Sequence, residues 1–112
     1  MKKIEAIIQP SKLEELKAAL NVMDIIPGLT ITQVMGCGEQ KGWKEFYRGT
    51  ELYLNFLPKI GITIVTPDEK VDMIIDAIID IARTGEPGDG KIFVSDVERV
   101  IRIRNGEEDD EQ

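Results

Sequence analysis

Histidine is absent from the 112 residues. That excludes His-based acid–base catalysis, a Ser-His-Asp triad, a Cys-His dyad and a His-ligated zinc site. The single cysteine, Cys37, cannot form an intrachain disulfide, so a disulfide-framed secreted domain is excluded. No apolar run approaches the length that spans a bilayer. Met1-Lys2-Lys3 has the basic head of a signal peptide, but Glu5 interrupts the apolar stretch and Pro10 ends it. A cytoplasmic location is expected. Basic residues are also in short supply, 14 against 21 acidic for a net charge of −7. A nucleic-acid binder, which draws its affinity from Lys and Arg on phosphates, is therefore disfavoured.

What is present suits one globular domain over residues 1–112. Hydrophobic residues make up 42% and charged residues 31%, so neither disorder nor a membrane protein is indicated. Five of the acids form one run, Glu107 to Glu111, within an acidic tail from about 105 to 112. Outside that run the body is close to neutral and can hold a basic pocket. The tail itself reads as a solvated end.

Lys2 to Ile8 is predicted as a strand. Pro10-Ser11 starts a helix, with Ser11 and Glu14 at capping-box spacing and Leu13, Leu16 and Leu20 on one stripe. Pro27-Gly28 breaks the chain before a strand from Leu29 to Val34. The grammar then repeats. Ile62 to Val65 is a strand, Pro67-Asp68 starts a helix striped by Val71, Ile74, Ile75, Ile78 and Ile79, and Lys91 to Asp96 is a strand. Arg99 to Arg104 alternates as another. Two β-α-β units point to an α+β ferredoxin-like plait (βαββαβ), an antiparallel sheet with two helices on one face. A parallel α/β fold is the alternative, for which the chain is short.

Between the halves, from about 37 to 56, no period is sustained, yet Trp43, Phe46, Tyr47 and Tyr53 stand beside several glycines. A loop of that length is functional or disordered, and its aromatics favour docking on a partner. The plain alternative is a hairpin extension that packs on a neighbouring subunit. Gly88-Asp89-Gly90-Lys91 has the form of an anion nest followed by a point charge, though it is not a Walker A loop. An ordinary helix-to-strand turn explains the same residues. In Val100-Ile101-Arg102-Ile103-Arg104 the alternation puts both arginines on one strand face, where with Lys91 they suit a polyphosphate. A solvated sheet edge is the competing reading. Gln40-Lys41-Gly42 and Lys59 form a weaker second group, suited to a carboxylate ligand and a magnesium shell.

These residues resemble the PII signal-transduction proteins, sensors of nitrogen status, over almost the whole chain. Thr84 to Val94 is similar to the family's C-terminal signature, and Gln40-Lys41-Gly42, Tyr47-Arg48-Gly49 and Phe56-Leu57-Pro58-Lys59 to landmarks of its long T-loop. The resemblance implies a non-catalytic homotrimer that binds ATP or ADP between subunits. It assigns Gly88, Asp89, Gly90, Lys91, Arg102 and Arg104 to the phosphates, Gly28 and Thr30 to the adenosine, and Gly38 to the same ligand shell. Gln40 is assigned to Mg²⁺ with ATP and 2-oxoglutarate, Lys59 to the distal carboxylate of 2-oxoglutarate, and Gly38, Lys41 and Gly42 to backbone contacts with it. Tyr47, Arg48 and Gly49 form the loop tip, and Arg48 matches the arginine that enters an ammonium channel.

That channel is the partner expected first, reached at the membrane from the cytoplasm; a glutamine synthetase or a transcription regulator comes next. Leu52 stands where many relatives carry a modified tyrosine, so that modification is unavailable. Glu39 and Thr63 replace an arginine and a glutamate near the nucleotide. An adenylate-only sensor and a small ATPase are the alternative functions, and an RNA-binding plait a third that charge opposes.

Overall fold

The computed structural model describes residues 1–25, 28–39 and 54–109. The order is β1 (Lys2–Ile8), α1 (Leu13–Val22), β2 (Leu29–Glu39), β3 (Leu54–Thr66), α2 (Val71–Ala82) and β4 (Lys91–Asp96). One four-stranded sheet runs β2-β3-β1-β4, with every pairing antiparallel. This is the predicted plait.

Alternation decides which face is covered. Ile4, Ala6 and Ile8 of β1 are buried and lie opposite Ile64, Ile62 and Ile60 of β3. Leu16 and Leu20 of α1 and Ile74, Ile78 and Ala82 of α2 join them in one core. On α2, Asp72, Asp76 and Asp80 recur every four residues on the opposite, exposed side. The other sheet face, carrying Glu5, Ile7, Lys59, Thr63 and Lys91, has no helix over it among the described residues.

Three local expectations are corrected. Ser11 and Glu14 do not cap α1. A single 3-10 turn over Pro10–Lys12 leads into the helix instead, closed by the Lys12 amide on the Gln9 carbonyl at 3.0 Å. The proline already fixes the first turn, and the helix is continuous with it.

The strands also reach further than predicted. The β2–β3 ladder runs from Leu29↔Ile64 to Glu39↔Leu54, which takes Cys37 and Phe56 out of the long loop and makes them cross-strand partners. Pro58 is tolerated there because β3 has run past Ile8, the end of β1, and pairs on one side only.

The third correction concerns Arg99 to Arg104, which is not a strand. Ile101 makes an isolated bridge to Glu108, and the chain turns back over Ile103–Asn105, with Gly106 at φ 72°. The Asn105-Gly106 pair supplies the turn, and acids after it find the arginines before it. Arg102 and Arg104 therefore do not share a strand face.

Candidate functional site

The segment joining α2 to β4 is built around one carboxylate. Asp89 accepts hydrogen bonds from the Thr84 hydroxyl at 2.6 Å, the Thr84 amide at 2.7 Å and the Gly85 amide at 2.9 Å. The Thr84 hydroxyl in turn accepts from the Glu86 amide at 3.2 Å. Gly85, Gly88 and Gly90 sit at φ 87°, 100° and 103°, values that favour glycine at each bend. Asp89 thus ties the loop's entrance to its exit. The Thr84 hydroxyl and amide, then the Gly85 amide and nearby Lys12, hold its carboxyl below the ordinary aspartate range.

A depressed pKa stabilises the folded loop above the unfolded value and loses that contribution as pH falls through the folded one. Amide protection at Thr84 and Gly85 is therefore expected to persist through pH 5 and to vanish only below about pH 4. Asp89→Asn should lose it already at neutral pH. Hydrogen exchange read at those two amides checks both; protection that ignores Asp89→Asn would refute the tie.

The outer side of the loop meets β3. Lys59 donates from Nζ to the Gly88 carbonyl at 2.8 Å, and Gln9, just after β1, donates from Nε2 to the same oxygen at 3.3 Å. A Cβ on Gly36 would lie 3.2 Å from Lys59 Cγ, so this glycine leaves room for the lysine stem. The register explains the meeting. Lys59 stands opposite Val34, and Gly61, two residues on, stands opposite Ile7, which also faces Lys91. Lys59 and Lys91 therefore project from the uncovered sheet face, at the same end of it, with Gly88–Gly90 beside them. Gln9 was invisible in the sequence: a lone glutamine after a strand carries no signal until the loop lands on it.

The remaining predicted residues are placed as follows. Thr30 is exposed on β2 opposite Thr63, and Gly28 precedes it with its amide on the Ile25 carbonyl at 3.0 Å. Gly38 lies in the β2–β3 ladder opposite Asn55. Gln40, Lys41, Gly42, Tyr47, Arg48 and Gly49 lie outside the described residues. Arg102 is drawn to its own acids: Nη1 donates to Asp109 at 2.8 Å and Nη2 to Glu107 at 3.1 Å. Arg104 sits in the turn of the same hairpin. One chain brings together Lys59, Gly88, Asp89, Gly90 and Lys91 but does not bring the arginines onto one strand beside them.

A groove of about 400 Å³ lies between α2 and β4, walled by Ile75, Ile79, Ile92 and Val94. Its walls are mostly apolar, and Arg83, Asp89 and Lys91 also line it, so it adjoins the loop and its lysine. Among the described residues no group of three or more His, Cys, Asp or Glu is placed to hold a metal, and no helix is long and apolar enough to cross a membrane.

Comparison with known proteins places the chain. It matches the family described as nitrogen regulatory protein P-II over residues 1–107. It is 58% identical over 110 residues to nitrogen regulatory protein P-II 1 of Escherichia coli strain K12, covering 98% of this chain and 97% of that one. It is 56% identical over 111 residues to the P-II protein of Pasteurella multocida, with 99% and 98% coverage. The corresponding protein of Haemophilus influenzae is 55% identical over 111 residues, again with 99% and 98% coverage. The chain belongs to the P-II nitrogen regulatory proteins, a family of signalling proteins rather than of enzymes.

Proposed function

We propose that this P-II protein senses ATP or ADP together with 2-oxoglutarate and acts on nitrogen-metabolism partners through the loop between β2 and β3. The observation that carries the reading is the Lys59–Gly88 hydrogen bond. It sets the lysine expected to take the distal carboxylate of 2-oxoglutarate against the loop expected to cradle phosphates. Gly88, Asp89, Gly90 and Lys91 would hold the phosphates, with Arg102 and Arg104 completing the shell and Gly28, Thr30 and Gly38 lining the rest. Mg²⁺ bound with ATP would supply a shared electrophilic anchor for phosphate and keto acid at Gln40. A carboxylate arriving at Lys59 exchanges with the Gly88 carbonyl, which keeps Gln9 as its second donor.

A homotrimer fits this reading, because a second copy can bring its hairpin arginines to a first copy's loop. The isolated chain leaves Phe93 half-exposed and Ile103 fully exposed, which suits burial against other copies. The first partner is an ammonium transporter reached from the cytoplasm, through Tyr47, Arg48 and Gly49. Each ligand shifts partner binding only as far as it favours one loop state.

The test is calorimetric titration with 2-oxoglutarate, without nucleotide, with ADP and with Mg-ATP. Binding confined to Mg-ATP is expected. ATP binding without a 2-oxoglutarate response would replace this reading by an adenylate-only sensor. No binding of either would leave the family's fold without its ligands.

A further inference from the structure

The geometry points to Glu107 and Asp109 as built-in competitors for the anion that Arg102 is to bind, so that these two acids set the affinity of the site. This rests on the nucleotide reading above and adds to it the residues that oppose binding. Three features fix the arrangement. The hairpin is closed by backbone bonds from the Arg102 amide to the Glu107 carbonyl at 2.9 Å, Gly106 to Arg102 at 2.8 Å and Asp109 to Val100 at 2.9 Å. Arg99 clamps Glu108, between the two competitors, through Nε at 2.9 Å and Nη2 at 3.3 Å. With Glu108 held, Glu107 and Asp109 each take a different terminal nitrogen of the Arg102 guanidinium.

A phosphate recognises an arginine best through two parallel N–H bonds from its planar fork. On Arg102 both terminal nitrogens already carry a carboxylate. A phosphate that takes this edge displaces at least one of them, and the displaced acid then repels the incoming anion. The exchange is favourable only for a highly charged ligand, which makes the acids a threshold on ligand charge. Asp109, at 33% side-chain exposure, is better shielded from water than Glu107 at 68%, so Asp109 is the stronger competitor.

The experiment titrates the full-length protein at low salt with Mg-ATP and, in parallel, with inorganic tripolyphosphate. The variants are Asp109→Asn, Glu107→Gln, the double variant, Glu107→Asp, and Glu14→Gln on exposed α1 as a matched loss of charge elsewhere. The double variant is expected to bind both ligands about three- to tenfold more tightly, with Asp109→Asn giving more of the gain than Glu107→Gln. Glu107→Asp keeps the charge but shortens the reach, and should recover part of the gain. Glu14→Gln should change nothing. Unchanged affinity in the double variant, while wild type binds ATP, overturns the inference and leaves the nucleotide reading intact. An equal gain in Glu14→Gln overturns it too, since net charge would then be the cause. Silence of wild type and all variants toward both ligands sinks inference and nucleotide reading together. Binding by the double variant alone upholds both.

Discussion

Gly90→Ala is expected to cost about 3 kcal/mol or more of folding stability, against about 1 kcal/mol for Gly85→Ala, five residues earlier in the same connection. Both glycines have positive φ, 103° at Gly90 and 87° at Gly85, so both substitutions carry left-handed strain. They differ in what a methyl group would meet. At Gly85 nothing lies within 4 Å, whereas at Gly90 the Cβ would sit on the Ile7 carbonyl, 2.8 Å from its carbon, and 3.5 Å from Ile8 Cα. That carbonyl cannot yield cheaply. Ile7 lies in β1, held on one side by Gly61 and on the other by Lys91, and its neighbours Ala6 and Ile8 are buried. Relief would have to come from parting β4 from β1 next to the loop. Urea denaturation of the two variants beside wild type reads the difference; equal losses would mean that strain alone, and not the close approach, makes position 90 a glycine.

The same contrast between local pattern and later contact explains what the sequence disclosed. β1 and both helices were legible because each carries a regular burial period beside Pro or Gly, and β4 because Ile92, Phe93 and Val94 follow the break at Gly90. Ile4-Ala6-Ile8 and Ile74-Ile78-Ala82 need no knowledge of the rest of the chain to be assigned a face. The ends of β2 and β3 were not legible. Gly36, Gly38 and Pro58 read as breakers one at a time, yet a ladder already running from Leu29↔Ile64 supplies each with a partner. Val100 to Arg104 failed in the opposite direction. Its alternation is a sound strand signal, overridden by the Asn105-Gly106 turn and by Glu107, Glu108 and Asp109 closing on Arg99 and Arg102. The turn dipeptide was visible and was outweighed by the pattern before it.

At the site, Asp89 as a turn-shaping residue was readable, since a carboxylate among glycines after a helix has few other uses. Its partner Thr84 and the donor Gln9 emerge only from the folded loop.

Lys91→Ala is expected to weaken ATP and ADP alike by about tenfold or more, while Lys59→Ala removes 2-oxoglutarate binding and leaves both nucleotides within about threefold. Lys91 opens β4 immediately after Gly90 and projects from the uncovered face, so its loss takes a charge away from the phosphates without touching the loop's own bonds. Lys59 has two parts to its contact. The stem fills the space over Gly36, and the ammonium holds the Gly88 carbonyl. Truncating it removes the partner proposed for the carboxylate, but the carbonyl keeps Gln9 as a second donor at 3.3 Å, and Asp89 still ties the loop from inside. The loop proposed to cradle phosphates therefore stays in place. Removing both donors should not be so mild: Lys59→Ala with Gln9→Ala frees the Gly88 carbonyl from the sheet and is expected to weaken nucleotide as well, by more than the two single variants combined. Calorimetry with each ligand on wild type and on the Lys91→Ala, Lys59→Ala, Gln9→Ala and double variants separates the outcomes. Equal losses of ATP, ADP and 2-oxoglutarate in Lys59→Ala alone would mean that Lys59 acts by holding the loop and not by meeting the carboxylate.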